Sequence, residues 1–491
     1  MASPEAHAAV YAHPRLFIDG KWVEAAHRRT MDVINPVNGD VLGVLPIAEA
    51  DDVTQAIEAA ARAFVTWKRV SALDRSGYLR GAAEWLRLRR GDWATLISLE
   101  LGKPYRQALL ETLTACEILE WSAEEARRLY DRVIPGRSPN MRMTTVSEPL
   151  GPVGAISGWN APAITPARKI GYALAAGCTI VIKPSEATPA SALMLASAFE
   201  AAGLPSGVLN VVFGDPPVIG RRFATDPEIK SLTFTGGTAV GKELFALCAT
   251  TVKRMVLELG GHAPVIVFAD SDVRAVAKAA AAAKFRNAGQ VCTSPTRFIV
   301  EDAAYELFAE TFTAEMDKLV VGDPFADDTA MGPLQNQRRV EAITALIDDA
   351  VAKGATAHSS VAPRGAGFWH PPTVLTRLSA DSRVLHEEPF GPLALILSFG
   401  TIAEAVEEAN RLPFGLAAYA FTTDLGRAEY LGREIQAGSL AINHWSASFA
   451  ETPFGGVRES GLGLEGGSEG ISAFRQARFL SVVSGSPVSS G

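Results

Sequence analysis

The sequence predicts an α/β protein with parallel sheets, and three observations carry that expectation. Across residues 152–268 short β-rich runs alternate with helical ones, the pattern of βαβ units. The alternation resumes after Cys292, with a strand-like run at residues 298–300 and a helical one near residues 303–319. A chain of 491 residues also exceeds what one core usually organises, so about three domains are expected.

Taken in order, the chain opens on Leu16-Phe17-Ile18-Asp19-Gly20-Lys21-Trp22-Val23, where alternating residues flank Asp-Gly, a strong hairpin signal. Residues 49–130 turn helical: Asp51 and Asp52 suit a helix start, and Val53, Ile57, Ala60, Ala61 and Phe64 recur at helical spacing. Further helical segments centre on residues 79–88 and 109–119. Residues 141–148 and 479–483 read as strands without sequence neighbours, which must pair elsewhere in the molecule or with another subunit. Within the alternating region, strand-like runs fall at residues 153–157, 179–183, 208–213, 231–235 and 265–268. Parallel sheets bind ligands beyond the carboxyl ends of their strands, where Trp159-Asn160, Lys183-Pro184-Ser185-Glu186 and Gly236-Gly237-Thr238 fall. Residues 484–491, rich in Ser, Gly and Pro, read as a disordered tail.

Composition excludes several classes. Hydrophobic residues at 48% and charged residues at 20% describe an ordinary globular protein. A net charge of -8 without a basic run leaves no footprint for nucleic acid, and Arg87, Arg89 and Arg90 read as a solvated helix face. The cysteines Cys116, Cys178, Cys248 and Cys292 have no CxxC or close Cys/His spacing, so neither a disulfide framework nor a metal site is expected, and a reducing cytoplasm fits. Residues 1–14 lack a basic stretch followed by an apolar one, so no signal peptide is read there. The most apolar region, residues 153–182, is broken by Pro162, Pro166, Arg168 and Lys169, which suits a buried segment and not a membrane span.

Cys292 lies in a short polar break, Arg286-Asn287-Ala288-Gly289-Gln290-Val291-Cys292, between two apolar segments. A thiol becomes a nucleophile only with a lowered pKa or a nearby base, so on this stretch alone a small buried hydrophobe is the commoner reading. Gly236 to Lys242 satisfies the GxxxxGK part of a P-loop, but Glu243 stands where a Mg-coordinating Ser or Thr is needed, which argues against a nucleotide triphosphatase. Lys183 and Glu186 follow a strand and can hydrogen-bond ribose hydroxyls; a carboxylate there accepts from a 2′-hydroxyl and repels a 2′-phosphate, favouring NAD over NADP. Glu258 sits in an apolar run that ends in Gly260-Gly261, where burial would raise its pKa toward that of a general base, although a charge paired at a strand end reads the same way. A hydrolase dyad of Cys292 with His262, His386 or His444 is a further alternative that no hydrolase signature accompanies.

Seven motifs, Gly158-Trp159-Asn160, Lys183-Pro184-Ser185-Glu186, Phe234-Thr235-Gly236-Gly237, Glu258-Leu259-Gly260-Gly261, Gly289-Gln290-Val291-Cys292, Glu388-Pro389-Phe390-Gly391-Pro392 and Pro453-Phe454-Gly455-Gly456, stand in this order. In order and spacing the chain resembles the NAD(P)-dependent aldehyde dehydrogenase superfamily over nearly its whole length. The resemblance implies a Rossmann-type cofactor domain (residues 1–130 and 150–257), an α/β catalytic domain (258–460), and a small β oligomerisation element with tail (131–149 and 461–491). It implies Cys292 as nucleophile, Asn160 and the Cys292 backbone N–H as oxyanion donors, Glu258 as base for the thioester's water, and Lys169 in support. Trp159, Lys183, Glu186, Gly237 and Gly241 match the adenosine and pyrophosphate site, and Glu388 and Phe390 the nicotinamide ribose and ring, with NAD expected and NADP as the alternative. Arg168, Arg286 and Ser448 resemble the residues that grip the distal carboxylate in succinate-semialdehyde and related ω-carboxylate enzymes. Structural ion pairs for the two arginines, an apolar tunnel for aromatic or aliphatic aldehydes, and a non-catalytic relative are the alternatives. Members are homodimers or homotetramers. The chain departs from the family at Gly237, where Ser is usual, and at His262, where Lys is usual. Ser294 replaces the second cysteine found in some relatives, so a redox switch through that pair is not expected.

Overall fold

The computed structural model describes residue 11 and residues 13–484. The expected tail at residues 485–491, like residues 1–10 and 12, lies outside them. Leu16–Ile18 and Lys21–Val23 form the expected hairpin, with Asp19 and Gly20 at φ 52° and 72°, the left-handed pair that a two-residue turn of this hand requires. The next block folds as four helices, Ala50–Trp67, Ala72–Leu88, Arg90–Leu101 and Tyr105–Glu125. Arg87 on the second of these is half-exposed and pairs with Glu120 at 2.8 Å.

Two large sheets organise the molecule. In the first, Leu209–Val211, Ile180–Lys183, Val153–Ile156, Ser231–Thr235 and Arg254–Glu258 run parallel in that spatial order. Chain order reverses between Val153–Ile156 and Ser231–Thr235, and a crevice beyond the carboxyl ends of two such strands is where this architecture binds ligands. The N-terminal hairpin extends one edge antiparallel, and Gly461–Leu462 closes the other against Leu257 and Glu258. The chain at Gly461–Leu462 thus returns to the first sheet before the last strand begins.

The second sheet takes the order Thr356–Ser359, Thr373–Thr376, Leu393–Phe399, Pro295–Glu301, Ala263–Val267, Ala417–Phe421 and Ser439–Ile442, parallel except for its first strand. Only four residues, Leu259 to His262, separate Glu258 at the carboxyl end of one sheet from Ala263 at the start of the other. That short crossing links the two sheets directly, with Cys292 just ahead of Pro295–Glu301 in the chain. The two strands lacking sequence neighbours find each other: Arg475–Val483 pairs along its whole length with Met141–Pro149, which also pairs with Arg132–Ile134. Among the described residues no helix is long and apolar enough to cross a membrane, and all four cysteines are free.

Candidate active site

The reversal point and the crossing between sheets share one cavity of about 490 Å3, lined by Trp159, Asn160, Arg168, Gly236, Gly237, Glu258, Arg286, Cys292, Glu388, Phe390, Ser448 and Glu465 among others. Residues expected from distant parts of the chain thus meet in one place.

The loop bearing Cys292 is shaped by its backbone. The helix Val273–Phe285 ends, and Asn287, Ala288 and Gly289 follow at φ 50°, 53° and 70°. Glycine is required at 289 for a second reason: a Cβ there would stand 2.1 Å from the Gly391 carbonyl oxygen. Asn287 Nδ2 donates to the Gln290 carbonyl at 3.1 Å, and the Tyr419 hydroxyl donates to the Thr293 carbonyl at 2.8 Å, so the loop is held on both sides of the thiol. Cys292 is half-buried. Burial, then the carboxylates of Glu258 and Glu388, push its thiol up to about 12, with Arg168 and the Thr293 backbone opposing.

Glu258 ends its strand and is 4% exposed, with neither carboxylate oxygen hydrogen-bonded. Burial foremost, then the neighbouring Glu465, hold its carboxyl well above the usual range, against the pull of Lys169 and Arg168. An unpartnered carboxyl of raised basicity beside a thiol is placed to exchange protons with it or with a water. Lys169, fully buried, donates to Glu465 at 2.6 Å and to the Thr233 hydroxyl at 2.8 Å. Asn160 Nδ2 donates to the Gln290 carbonyl at 3.2 Å, two residues before the thiol.

Arg168 and Lys169 are consecutive on the helix Ile164–Ala176, so their side chains diverge by about 100°. Lys169 turns to Glu465; Arg168 donates to Ser448 Oγ at 2.5 Å and lies over the Phe454 ring at 4.6 Å. Arg168 is 6% exposed with its Nε buried and unpartnered, whereas Arg286 is exposed at the cavity wall. Among the described residues neither arginine has a carboxylate at ion-pair distance, which removes the structural ion-pair reading.

At the other end of the cavity Phe390, at φ 42°, meets Trp159 edge-on at 5.6 Å. Glu388 accepts from the Gly261 N–H at 3.1 Å, and burial pushes its carboxyl up to about 7. Gly237 caps the helix Thr238–Ala249 with no side-chain bond, and open space lies where its Cβ would be. Lys183 and Glu186 stand one strand away, outside the lining, paired at 2.6 Å, with Glu186 also accepting from the Gly214 N–H at 2.9 Å. Gly241 likewise lies outside the lining; a Cβ there would lie 2.4 Å from Leu259 Cδ2, so the packing of its helix on Leu259 requires a glycine.

The histidine alternatives fail on geometry. His262 is 2% exposed and spends both ring nitrogens, on Thr296 Oγ1 at 2.8 Å and the Val384 carbonyl at 2.9 Å, and burial holds its pKa well below the ordinary value. His386 bonds the Ala380 carbonyl at 2.9 Å, and neither it nor His444 lines the cavity. Lys242 of the P-loop-like stretch pairs at the surface with Glu459 at 2.8 Å. Glu465, Tyr419 and Trp445 were not singled out from the sequence; a lone carboxylate in Gly461-Leu462-Gly463-Leu464-Glu465-Gly466-Gly467 was the one available signal.

The aldehyde dehydrogenase family model matches residues 22–480. The chain belongs to the aldehyde dehydrogenase family. It is 41% identical to the 4-(hydroxymethyl)benzenesulfonate dehydrogenase of Comamonas testosteroni, over 96% of this chain and 99% of that one. It is 40% identical to the NADP(+) succinate-semialdehyde dehydrogenase of Escherichia coli K12, over 95% and 97%. The crystal structure of a succinate-semialdehyde dehydrogenase from Burkholderia pseudomallei superimposes with a TM-score of 0.93 at 41% identity, over 98% and 99%. Relatives in this aldehyde dehydrogenase family use NAD or NADP. The residues here fit such a group: the helix end at Gly237 is uncapped and open, Thr235 Oγ1 is buried without a partner, and the Glu388 carboxylate faces the same cavity.

Proposed function

We propose that this aldehyde dehydrogenase oxidises a semialdehyde carrying a distal carboxylate, with NAD as cofactor. The observation that carries the reading is the pair Arg168 and Arg286, lining the cavity of Cys292 without a carboxylate partner among the described residues. A buried guanidinium in that condition calls for an anion from outside, and Ser448 beside Arg168 adds a hydroxyl donor.

In the proposed sequence Cys292 Sγ attacks the aldehyde carbon while its proton passes toward Glu258. The oxyanion that forms is met by the Cys292 backbone N–H and by Asn160 Nδ2, which leaves the Gln290 carbonyl to do so. NAD, when bound, supplies the hydride acceptor, held by Lys183, Glu186, Gly237, Glu388, Phe390 and Trp159. Glu258, its first proton released to solvent, then takes a proton from the water that attacks the thioester and returns it to the departing Cys292 thiolate. Burial and the neighbouring Glu465 raise its basicity, and Lys169, paired to Glu465, opposes that rise. Hydrolysis to the acid completes the cycle. The first sheet serves as the cofactor domain, the second as the catalytic one, and the Met141–Pro149 and Arg475–Val483 pair as the element that joins subunits in a homodimer or homotetramer. A cytoplasmic site of action goes with the free cysteines.

The relative named for a benzenesulfonate gives a second reading, an aromatic ring bearing a sulfonate, because the same arginines suit either oxyanion and Phe454 and Trp445 line the same space. One panel decides between them: kcat/KM for succinate, glutarate and 2-oxoglutarate semialdehydes, benzaldehyde and 4-sulfobenzaldehyde, each with NAD and NADP. An aliphatic semialdehyde leading by at least tenfold is expected. Benzaldehyde in the lead would overturn the anionic reading, and 4-sulfobenzaldehyde would replace the carboxylate by a sulfonate.

A further inference from the structure

Behind Asn160 lies an ion pair that the proposed chemistry does not use. Lys103 follows the helix Arg90–Leu101, Glu111 stands on Tyr105–Glu125, and each is 6% exposed. Lys103 Nζ bonds a Glu111 carboxylate oxygen and also donates to the Asn160 carbonyl at 3.0 Å. The other Glu111 oxygen accepts from the Ala163 N–H at 2.9 Å. The pair therefore grips both ends of the turn from Asn160 to Ala163 that leads into the helix carrying Arg168 and Lys169.

The grip extends to the nucleophile loop. Asn287 Nδ2 donates to that same Asn160 carbonyl at 3.2 Å and to the Gln290 carbonyl at 3.1 Å, the oxygen on which the Asn160 amide rests. Gln107, on the same helix as Glu111, accepts from the Asn287 N–H at 2.9 Å. Taking two charges out of water is unfavourable, and a well-packed apolar pair would fasten two helices as well. What an apolar pair cannot do is hold a backbone carbonyl and a backbone N–H in fixed places.

We infer that Lys103 and Glu111 are positioning residues that fix the Asn160–Ala163 backbone beside the Cys292 loop, so that the Asn160 amide, on leaving the Gln290 carbonyl, reaches the oxyanion from a set place. The inference rests on the reading of Asn160 as an oxyanion donor. Neither residue touches the reacting atoms; each acts through the Asn160–Ala163 backbone.

A double-mutant cycle tests it. Lys103→Met and Glu111→Gln are made alone and with Asn160→Ala, and kcat, KM and thermal melting are measured for each, together with the rate at which iodoacetamide alkylates Cys292. Each single change is expected to lower kcat by about 10–100-fold with KM within about threefold and alkylation little altered, since a displaced donor costs the transition state and not thiol access. In the Asn160→Ala background the same changes cost less than about threefold, because the amide they position is gone. Fully multiplicative losses would reduce the pair to a fastener and overturn the inference. Should Asn160→Ala by itself leave kcat within threefold, the oxyanion reading fails, and this inference with it. Glu111→Gln keeps an oxygen for Ala163, so the cycle stands even where Lys103→Met does not fold.

Discussion

Arg168 and Ser448, 280 positions apart in sequence, meet at 2.5 Å in the wall of the Cys292 cavity, and among the described residues no carboxylate completes the pair. A charge-assisted contact of this kind contributes about 1.5–3 kcal/mol to a bound anion. Arg168→Met is therefore expected to raise KM for succinate semialdehyde by about 10–150-fold. Butanal, which has no distal charge, serves as the control and should change by less than about threefold. Equal losses for both aldehydes would mean that Arg168 supports the site and does not read the substrate.

The thiol of Cys292 carries the next prediction, and the sign follows from its surroundings. Burial and two nearby carboxylates raise its pKa to about 12, so at neutral pH it is protonated and the thiolate fraction grows about tenfold per pH unit. Alkylation by iodoacetamide in the absence of substrate should keep climbing through pH 9. Glu258→Gln removes one of the two charges, so alkylation should speed up by a few-fold in the alkaline range while steady-state turnover falls by about 10²–10⁴ for want of a base. A plateau of the wild-type rate near pH 7 would contradict the arrangement described.

Much of this site was legible before the fold was known, and the reasons differ from residue to residue. Ser231–Thr235 is strand over the span its alternation of Leu232 and Phe234 with Thr233 and Thr235 suggests, and the Cys292 stretch stood out because a polar break between apolar segments is a local property. Glu465, Lys103 and Glu111 were not legible. Their partners Lys169, Asn160 and Ala163 lie 296, 57 and 52 positions away, and no pattern of spacing encodes which buried charges meet. Gly241 illustrates a related point: a glycine at a helix start serves a ligand or a neighbouring side chain, and its close approach to Leu259 could not be read from spacing. The strands Thr30–Ile34 and Val41–Pro46 went unread although Asn38-Gly39 lies in the turn between them, because their alternation is weak and one bulge shifts their register.

Glu388 predicts a conflict between stability and binding. Its carboxyl titrates at about 7 in the folded chain against 4.5 when free, so between those values the folded state holds the extra proton. Stability from this group therefore falls as pH rises from about 4.5 to 7 and stays lost above. Glu388→Gln should stabilise the free protein by about 1–2 kcal/mol at pH 8, after discounting for partial exposure, and by little at pH 5. Its affinity for NAD should fall in the same preparation. Thermal melts at the two pH values, with and without NAD, check both signs.

Cofactor choice turns on how firmly Glu186 is held. Its carboxylate takes Lys183 Nζ at 2.6 Å and the Gly214 N–H at 2.9 Å, so it cannot swing away from a ligand beside it. The family does not decide the matter, since the Escherichia coli relative is named for NADP. A 2′-phosphate would add about two negative charges next to this fixed one, and burial of the Lys183 pair limits the screening that water could offer. NAD should therefore lead NADP in kcat/KM by about 10²-fold, chiefly through KM. Glu186→Ser should shrink the gap to less than about tenfold by improving NADP, while leaving kcat with saturating NAD within about threefold. Lys183→Met should weaken both dinucleotides, because it frees Glu186 and removes a ribose donor together. A wild-type preference for NADP would show that the carboxylate turns toward Lys183 and away from the ribose, and that the 2′ position is read by another residue.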